Sequence, residues 1–205
     1  MNLGGEIWLF VLCGCLASTH AFRDKHDTRN LVWDLQHVAE FVGVWRLSNV
    51  DGVVQIFAPP STIDFGINPI PKFGARALNF TMQYLDAKDK LYRSDYGYVL
   101  VKNATRRDPV WRCGFLTTSS SGFSILENCI VRPNGPEIDS RLYKFVARDF
   151  GMSPAALFAD DRQVPFTIHG LTRRIRYVPH ERLEMHMKIE TDVGTDEYKA
   201  TYRKR

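Results

Sequence analysis

After its first twenty or so residues the sequence has no long apolar run, so nothing beyond the leader is built to cross a bilayer as a helix. It lacks a Gly-x-Ser-x-Gly elbow, a His-Glu-x-x-His helix and a glycine-rich phosphate loop, which removes the usual serine-hydrolase, zinc-protease and nucleotide-binding signatures. A strong charge bias is missing too, with 27 basic residues against 23 acidic ones and a net +4. The clusters Arg106-Arg107, Arg173-Arg174-Arg176 and Arg203-Lys204-Arg205 lie on or beside strand patterns broken by apolar residues, with no nucleic-acid-reading motif near them. So mild an excess is a solvated surface, and nucleic acid is not an expected partner.

What is present begins with the leader. Ile7 to Ala17 is apolar but too short to span, and Ser18-Thr19-His20-Ala21 follows it. Small residues at Thr19 and Ala21 suit cleavage after Ala21, whereas the lack of Lys or Arg before the run keeps a signal anchor as the alternative. With cleavage, residues 1–21 are a signal peptide, 22–36 a tail and the start of a helix, and 37–205 one domain of a secreted product free of the membrane. Loss of Glu6, the leader's one charged side chain, takes the net charge from +4 to +5.

Cysteine is sparse. Cys13 and Cys15 leave with the leader, and Cys113 and Cys129 remain. Strand-like runs flank the turn-rich Thr117 to Gly122, and a hairpin centred on Ser121 sets Cys113 opposite Cys129, within disulfide reach. In an oxidising compartment the pair closes; otherwise both are buried thiols.

From Thr28, a candidate cap, Leu31, Leu35, Val38 and Phe41/Val42 recur at helical spacing, as in one amphipathic helix laid across a core made elsewhere. Gly43 to Leu47 opens a strand. Residues 58–73 hold Pro59, Pro60, Pro69 and Pro71 and read as a loop. Strand patterns follow at Arg76–Tyr84, Leu91–Val101, Val110–Leu116, Phe123–Val131, Leu142–Arg148, Thr167–Val178 and Leu183–Thr191. A Pro/Gly turn at 132–140 and a short helix at Ser153–Phe158, with Pro154 at its first position, interrupt them. The chain ends on DEYKATYRKR, where Tyr198, Ala200 and Tyr202 alternate with Glu197, Lys199, Thr201 and Arg203. A last strand is best satisfied beside the first, so these short strands imply an all-β closed antiparallel barrel.

Several segments resemble one family, in the family's order. FVGVWRL resembles the Gly-x-Trp opening strand of calycin-like barrels. ALNFTMQYLDAKDKLYRSDYGYVLV, FLTTSSSGFSILENCIV, LTRRIRYVPHERLEMHMKIET and YKATYRKR are similar to successive strands of the nitrobindin family. That family includes bacterial and plant nitrobindins and the haem-binding domain joined to a THAP zinc finger in animals; no such finger is present here. The resemblance covers about residues 37–204. It implies a barrel of about ten strands carrying haem at one end, with the iron held by one histidine of the last strand and reactive-nitrogen chemistry such as peroxynitrite isomerisation. The matching position here is Glu197. Leu47 replaces the family's glycine after the opening Trp, and Ala58–Phe73 and Asp149–Gln163 read as insertions.

Haem takes His, thiolate, Met or Tyr as axial ligand, and Glu197 is a poor substitute. Tyr198 beside it is the candidate metal ligand, since a bulge would turn either Glu197 or Tyr198 inward. His169 starts a strand and is the one histidine placed to face the barrel mouth. His26, His37 and His180 fall in the tail, on the helix's polar side and in a turn. His186 shares an outward strand face with Glu184, Lys188 and Glu190, opposite Met185 and Met187, which with Trp45 are lining candidates. Asn79 and Asn103 head glycosylation sequons, the first within a strand and the second in a turn. The expected function is a secreted barrel binding haem or another small hydrophobic ligand, non-catalytic for want of the imidazole. The alternatives are haem-dependent reactive-nitrogen chemistry through a substitute ligand, and a cofactor-free extracellular interaction module.

Overall fold

The computed structural model describes residues 24–67, 77–132, 136–147 and 166–205. The leader, the short helix expected at Ser153–Phe158 and Pro69 to Phe73 of the expected loop lie outside them. Among the described residues the fold is all-β. Its strands are β1 (Gly43–Val53), β2 (Thr62–Ile67), β3 (Ala77–Leu85), β4 (Leu91–Lys102) and β5 (Trp111–Ser119), then β6 (Phe123–Arg132), β7 (Glu137–Ala147), β8 (Ile168–Val178), β9 (Arg182–Thr191) and β10 (Gly194–Lys204). Each pairs antiparallel with its neighbours in sequence, and β10 closes on β1 from Trp45 opposite Lys204 to Val53 opposite Glu197. Closure removes the two edges that a meander would otherwise expose.

The two-residue period decides what faces inward. In β9, Leu183, Met185, Met187 and Ile189 are buried while His186 is exposed, as the alternation predicts. In β10 the buried phase is Asp196, Tyr198, Ala200 and Tyr202. The β5–β6 hairpin sets Cys113 opposite Cys129, and the two form a disulfide across a Cα separation of 4.7 Å.

Three expectations are corrected. Asp27, not Thr28, caps the first turn, its carboxylate accepting the Arg29 N–H. Extended backbone at Leu31 and Val32 then divides the expected helix into a 3-10 turn at Thr28–Asn30 and a 3-10 helix at Trp33–Phe41. Its apolar face is kept, because Leu35, Val38 and Phe41 pack against the barrel end nearest β4 and β6. Second, β2 lies inside the proline-rich 58–73 stretch. Ser61 to Ile67 holds no proline, Ile63 and Phe65 are fully buried, and the strand pairs with both β1 and β3. Third, β7 starts at Glu137, within the stretch read as a turn, because Ile138 and Ser140 point into the interior and are buried.

Candidate functional site

A cavity lies at the barrel end away from the Trp33–Phe41 helix. The first residues of β4, β6, β8 and β10 and the last of β3, β5 and β9 converge there. Ile125, Leu171, Met187 and Ile189 make its apolar wall, and Tyr84, Arg93, Asp95, Thr117, Arg173 and Tyr198 its polar one. Its volume is about 20 Å³, room for about one water molecule.

Two buried ion pairs organise the polar wall. Arg93 donates from Nε and Nη2 to Asp95 at 2.9 and 2.5 Å, and the Tyr84 hydroxyl donates to the same carboxylate at 2.9 Å. The Arg93 guanidinium also lies 4.1 Å from the Tyr84 ring centroid. Arg173 donates from Nη2 to Glu127 Oε1 at 2.8 Å, and Ser140 Oγ donates to Glu127 Oε2 at 2.6 Å. The side chains of Arg173 and Glu127 are 4% and 0% exposed. Removing charge from water to this depth is costly unless each polar atom is matched. Glu127 is matched. Arg173 is not: its Nε and Nη1, like the buried Thr117 hydroxyl, have no hydrogen-bond partner among the described residues.

Phenylalanines cover the cavity mouth. Phe57, from the β1–β2 connection, meets Phe166 edge-on at 4.7 Å and Phe123 at 6.2 Å, and Arg93 lies 5.3 and 5.1 Å from the Phe57 and Phe123 rings. Asp196 fixes the Phe57 turn. Its buried carboxylate accepts the backbone N–H groups of Gln55, Ile56 and Phe57 at 3.0, 2.8 and 2.6 Å.

The candidate residues are divided by the direction of their strands. Tyr198, Met187 and the cavity share a layer, whereas Met185 is buried deeper toward the other end of β9. Trp45 is fully buried at the helix-covered end, its indole N–H donating to the Phe41 carbonyl at 2.7 Å, and it does not reach the cavity. Glu197 faces outward, its side chain 54% exposed and 3.3 Å from His186 Nε2. The inward positions flanking it are Asp196 and Tyr198. His169 is exposed and does not line the cavity; nor does any other described histidine. Asn79 lies on the outward phase of β3, half-buried, and Asn103 is half-buried just past β4.

These residues do not fit haem. An iron-binding tyrosine acts as phenolate, but burial pushes the Tyr198 phenol up, an effect Arg173 and Arg93 offset only in part. At about 20 Å³ the cavity holds neither haem nor any other larger organic guest unless the residues at its mouth move. The charged pairs were missed in the sequence although a signal existed. Arg173 stands between Leu171 and Ile175, and Glu127 between Ile125 and Cys129, on the apolar phase of their strands.

No protein-family model matches the chain, and no curated protein does. Among solved structures it is similar to Rv2717c from M. tuberculosis, with a TM-score of 0.60 and 16% identity, over 86% of this chain and 99% of that one. At that identity the likeness is one of fold. Among the described residues the chain forms a closed ten-stranded antiparallel barrel.

Proposed function

We propose that the chain is a secreted, non-catalytic, nitrobindin-like barrel that binds a small apolar guest beneath the phenylalanine cover rather than haem. The observation that supports this best is the interior itself: a partly open cavity with one apolar wall, one polar wall and an aromatic cluster at its edge, and no described histidine lining it. An interior of this kind suits selection of a guest by shape plus a few fixed polar contacts. A guest larger than water requires Phe57 or Phe166 to swing aside, which places the binding step at the cover. The Cys113–Cys129 disulfide is compatible with export to an oxidising compartment.

A neutral apolar dye tests the reading. N-phenyl-1-naphthylamine fluorescence should rise saturably with the wild-type protein and fall back in Leu171→Phe, which fills the cavity from its apolar wall. No saturable rise, or a rise unchanged in Leu171→Phe, would refute binding at this site.

A further inference from the structure

The net charge is small, but its placement on the outer wall of the barrel is uneven. Along most of β8, β9 and β10, outward cations sit beside carboxylates. Arg176 and Lys199 meet Glu184 at 2.7 and 3.3 Å, and Lys188 meets Glu190 at 2.7 Å. Arg174 lies 3.7 and 3.8 Å from Glu137 and Asp139. At the helix-covered end this mixing stops. The register puts Arg46 of β1 opposite Arg203 of β10, and Arg203 opposite Arg182 of β9, so three arginines stand side by side on adjacent strands. All three are exposed, because the buried phase runs through their neighbours Trp45, Tyr202 and Leu183. Among the described residues none of the three has a carboxylate partner. Of the acidic groups around the row, Asp64 is engaged by Lys25 and His26, Glu184 by Arg176 and Lys199, and Glu181, in the turn before β9, pairs with no cation. Two further cations end the chain beside it. Lys204 Nζ lies 5.5 Å from the Trp45 ring centroid, and the Arg205 N–H donates to the Val44 carbonyl at 2.9 Å. Like charges directly opposite across a sheet are destabilising, and nothing within the row offsets that cost.

We infer that the Arg46–Arg203–Arg182 row is a docking surface for a sulfated polysaccharide. Three positions on neighbouring strands span about 10 Å, and each presents a planar, permanently charged fork. A chain of sulfate esters supplies permanent negative charge and acceptor oxygens at repeated intervals, and charge-assisted hydrogen bonds to guanidinium are the strong ones. The border of the row favours this polyanion over others. Thr62 lies opposite Arg46, and Ser48 donates to the Thr201 carbonyl next to it. These small hydroxyl side chains offer no aromatic platform on which nucleic-acid bases would stack, and no apolar anchor that would enter a bilayer. The sequence shows only Arg203-Lys204-Arg205 as a cluster; Arg46 and Arg182 join it because the last strand closes between the first strand and β9. The inference is independent of the guest-binding reading, since the row lies on the outer wall at the end away from the cavity.

Surface plasmon resonance on immobilised heparin, with desulfated heparin as the reference, tests this at a physiological salt of about 0.15 M. The wild-type protein should bind heparin saturably and the desulfated chain weakly or not at all. The variant Arg46→Gln/Arg182→Gln/Arg203→Gln should lose about tenfold or more in affinity, and its slope of log affinity against log salt should fall by about two to three. Its urea midpoint should not drop, because the substitutions remove exposed like charges that face one another. Arg203→Gln alone, at the centre of the row, should weaken binding by about threefold. The control Arg174→Gln/Lys188→Gln/Lys199→Gln removes the same charge from the paired part of the wall and should stay within about threefold of wild type. No saturable binding by the wild type, equal binding to desulfated heparin, or a loss in the control as large as in the row variant overturns the inference. Tighter binding to duplex DNA or to phosphatidylserine vesicles than to heparin overturns it as well.

Discussion

Replacing Arg173 by methionine offers the sharpest check on the energetics of the interior. Met fits the apolar surroundings but withdraws the cation from Glu127, whose side chain is 0% exposed and would keep only the Ser140 hydroxyl at 2.6 Å. Breaking a buried pair on one side costs about 3–5 kcal/mol, because the remaining charge is desolvated without its partner. That is a large share of a domain stability of about 5–15 kcal/mol. The double variant Arg173→Met/Glu127→Leu removes both charges and should return to within about 1 kcal/mol of wild type. Urea unfolding of wild type, both single variants and the double variant closes a double-mutant cycle; with each single variant costing about 3–5 kcal/mol and the double within about 1 kcal/mol, the expected coupling is about 5–10 kcal/mol. A cost below about 1 kcal/mol for Arg173→Met would refute the reasoning, since it would mean that water or another group solvates Glu127.

Other consequences follow from the same geometry. Burial holds the Tyr84, Tyr198 and Tyr202 phenols above the ordinary value of 10.0. Their folded pKa values exceed the unfolded ones, so the contribution is full below about pH 10 and is lost as pH rises toward the folded values. Thermal melts should therefore fall steeply above about pH 10, with tyrosinate absorbance appearing together with unfolding; smooth titration of all tyrosines in the folded state would contradict this. Asp196→Ala strands three backbone N–H groups at the Phe57 turn and should cost about 3 kcal/mol while speeding dye uptake, measured by urea unfolding and stopped-flow fluorescence. Reducing Cys113–Cys129, which closes a sequence separation of 16, should cost about 3 kcal/mol, read as a lower urea midpoint with reductant.

The barrel was legible because alternation is local and closure follows from it. The terminal strand's Tyr198, Ala200 and Tyr202 are the residues that face inward, and the hairpin centre at Ser121 sets the disulfide register. β2 is hidden in the sequence because four prolines in the 58–73 window mask it, although Ser61 to Ile67 is free of proline and alternates Ile63 and Phe65 inward. The site was less legible, for a reason of parity. Matching the family's last strand puts its histidine at Glu197, yet strand phase turns Glu197 outward and offers the interior Asp196 and Tyr198. Side-chain partners are absent from any periodicity, so the pairing of Arg173 on β8 with Glu127 on β6 required the tertiary structure. Charge standing on an apolar phase is the sequence sign that such a pairing exists.

The central claim is that the interior is a guest site without an iron ligand. Haemin titration of the purified protein, followed by absorbance, tests it most directly, with Tyr198→Phe and His169→Ala alongside. The account predicts no sharpened Soret band at one equivalent in any of the three. A stoichiometric Soret band that Tyr198→Phe or His169→Ala abolishes would contradict it.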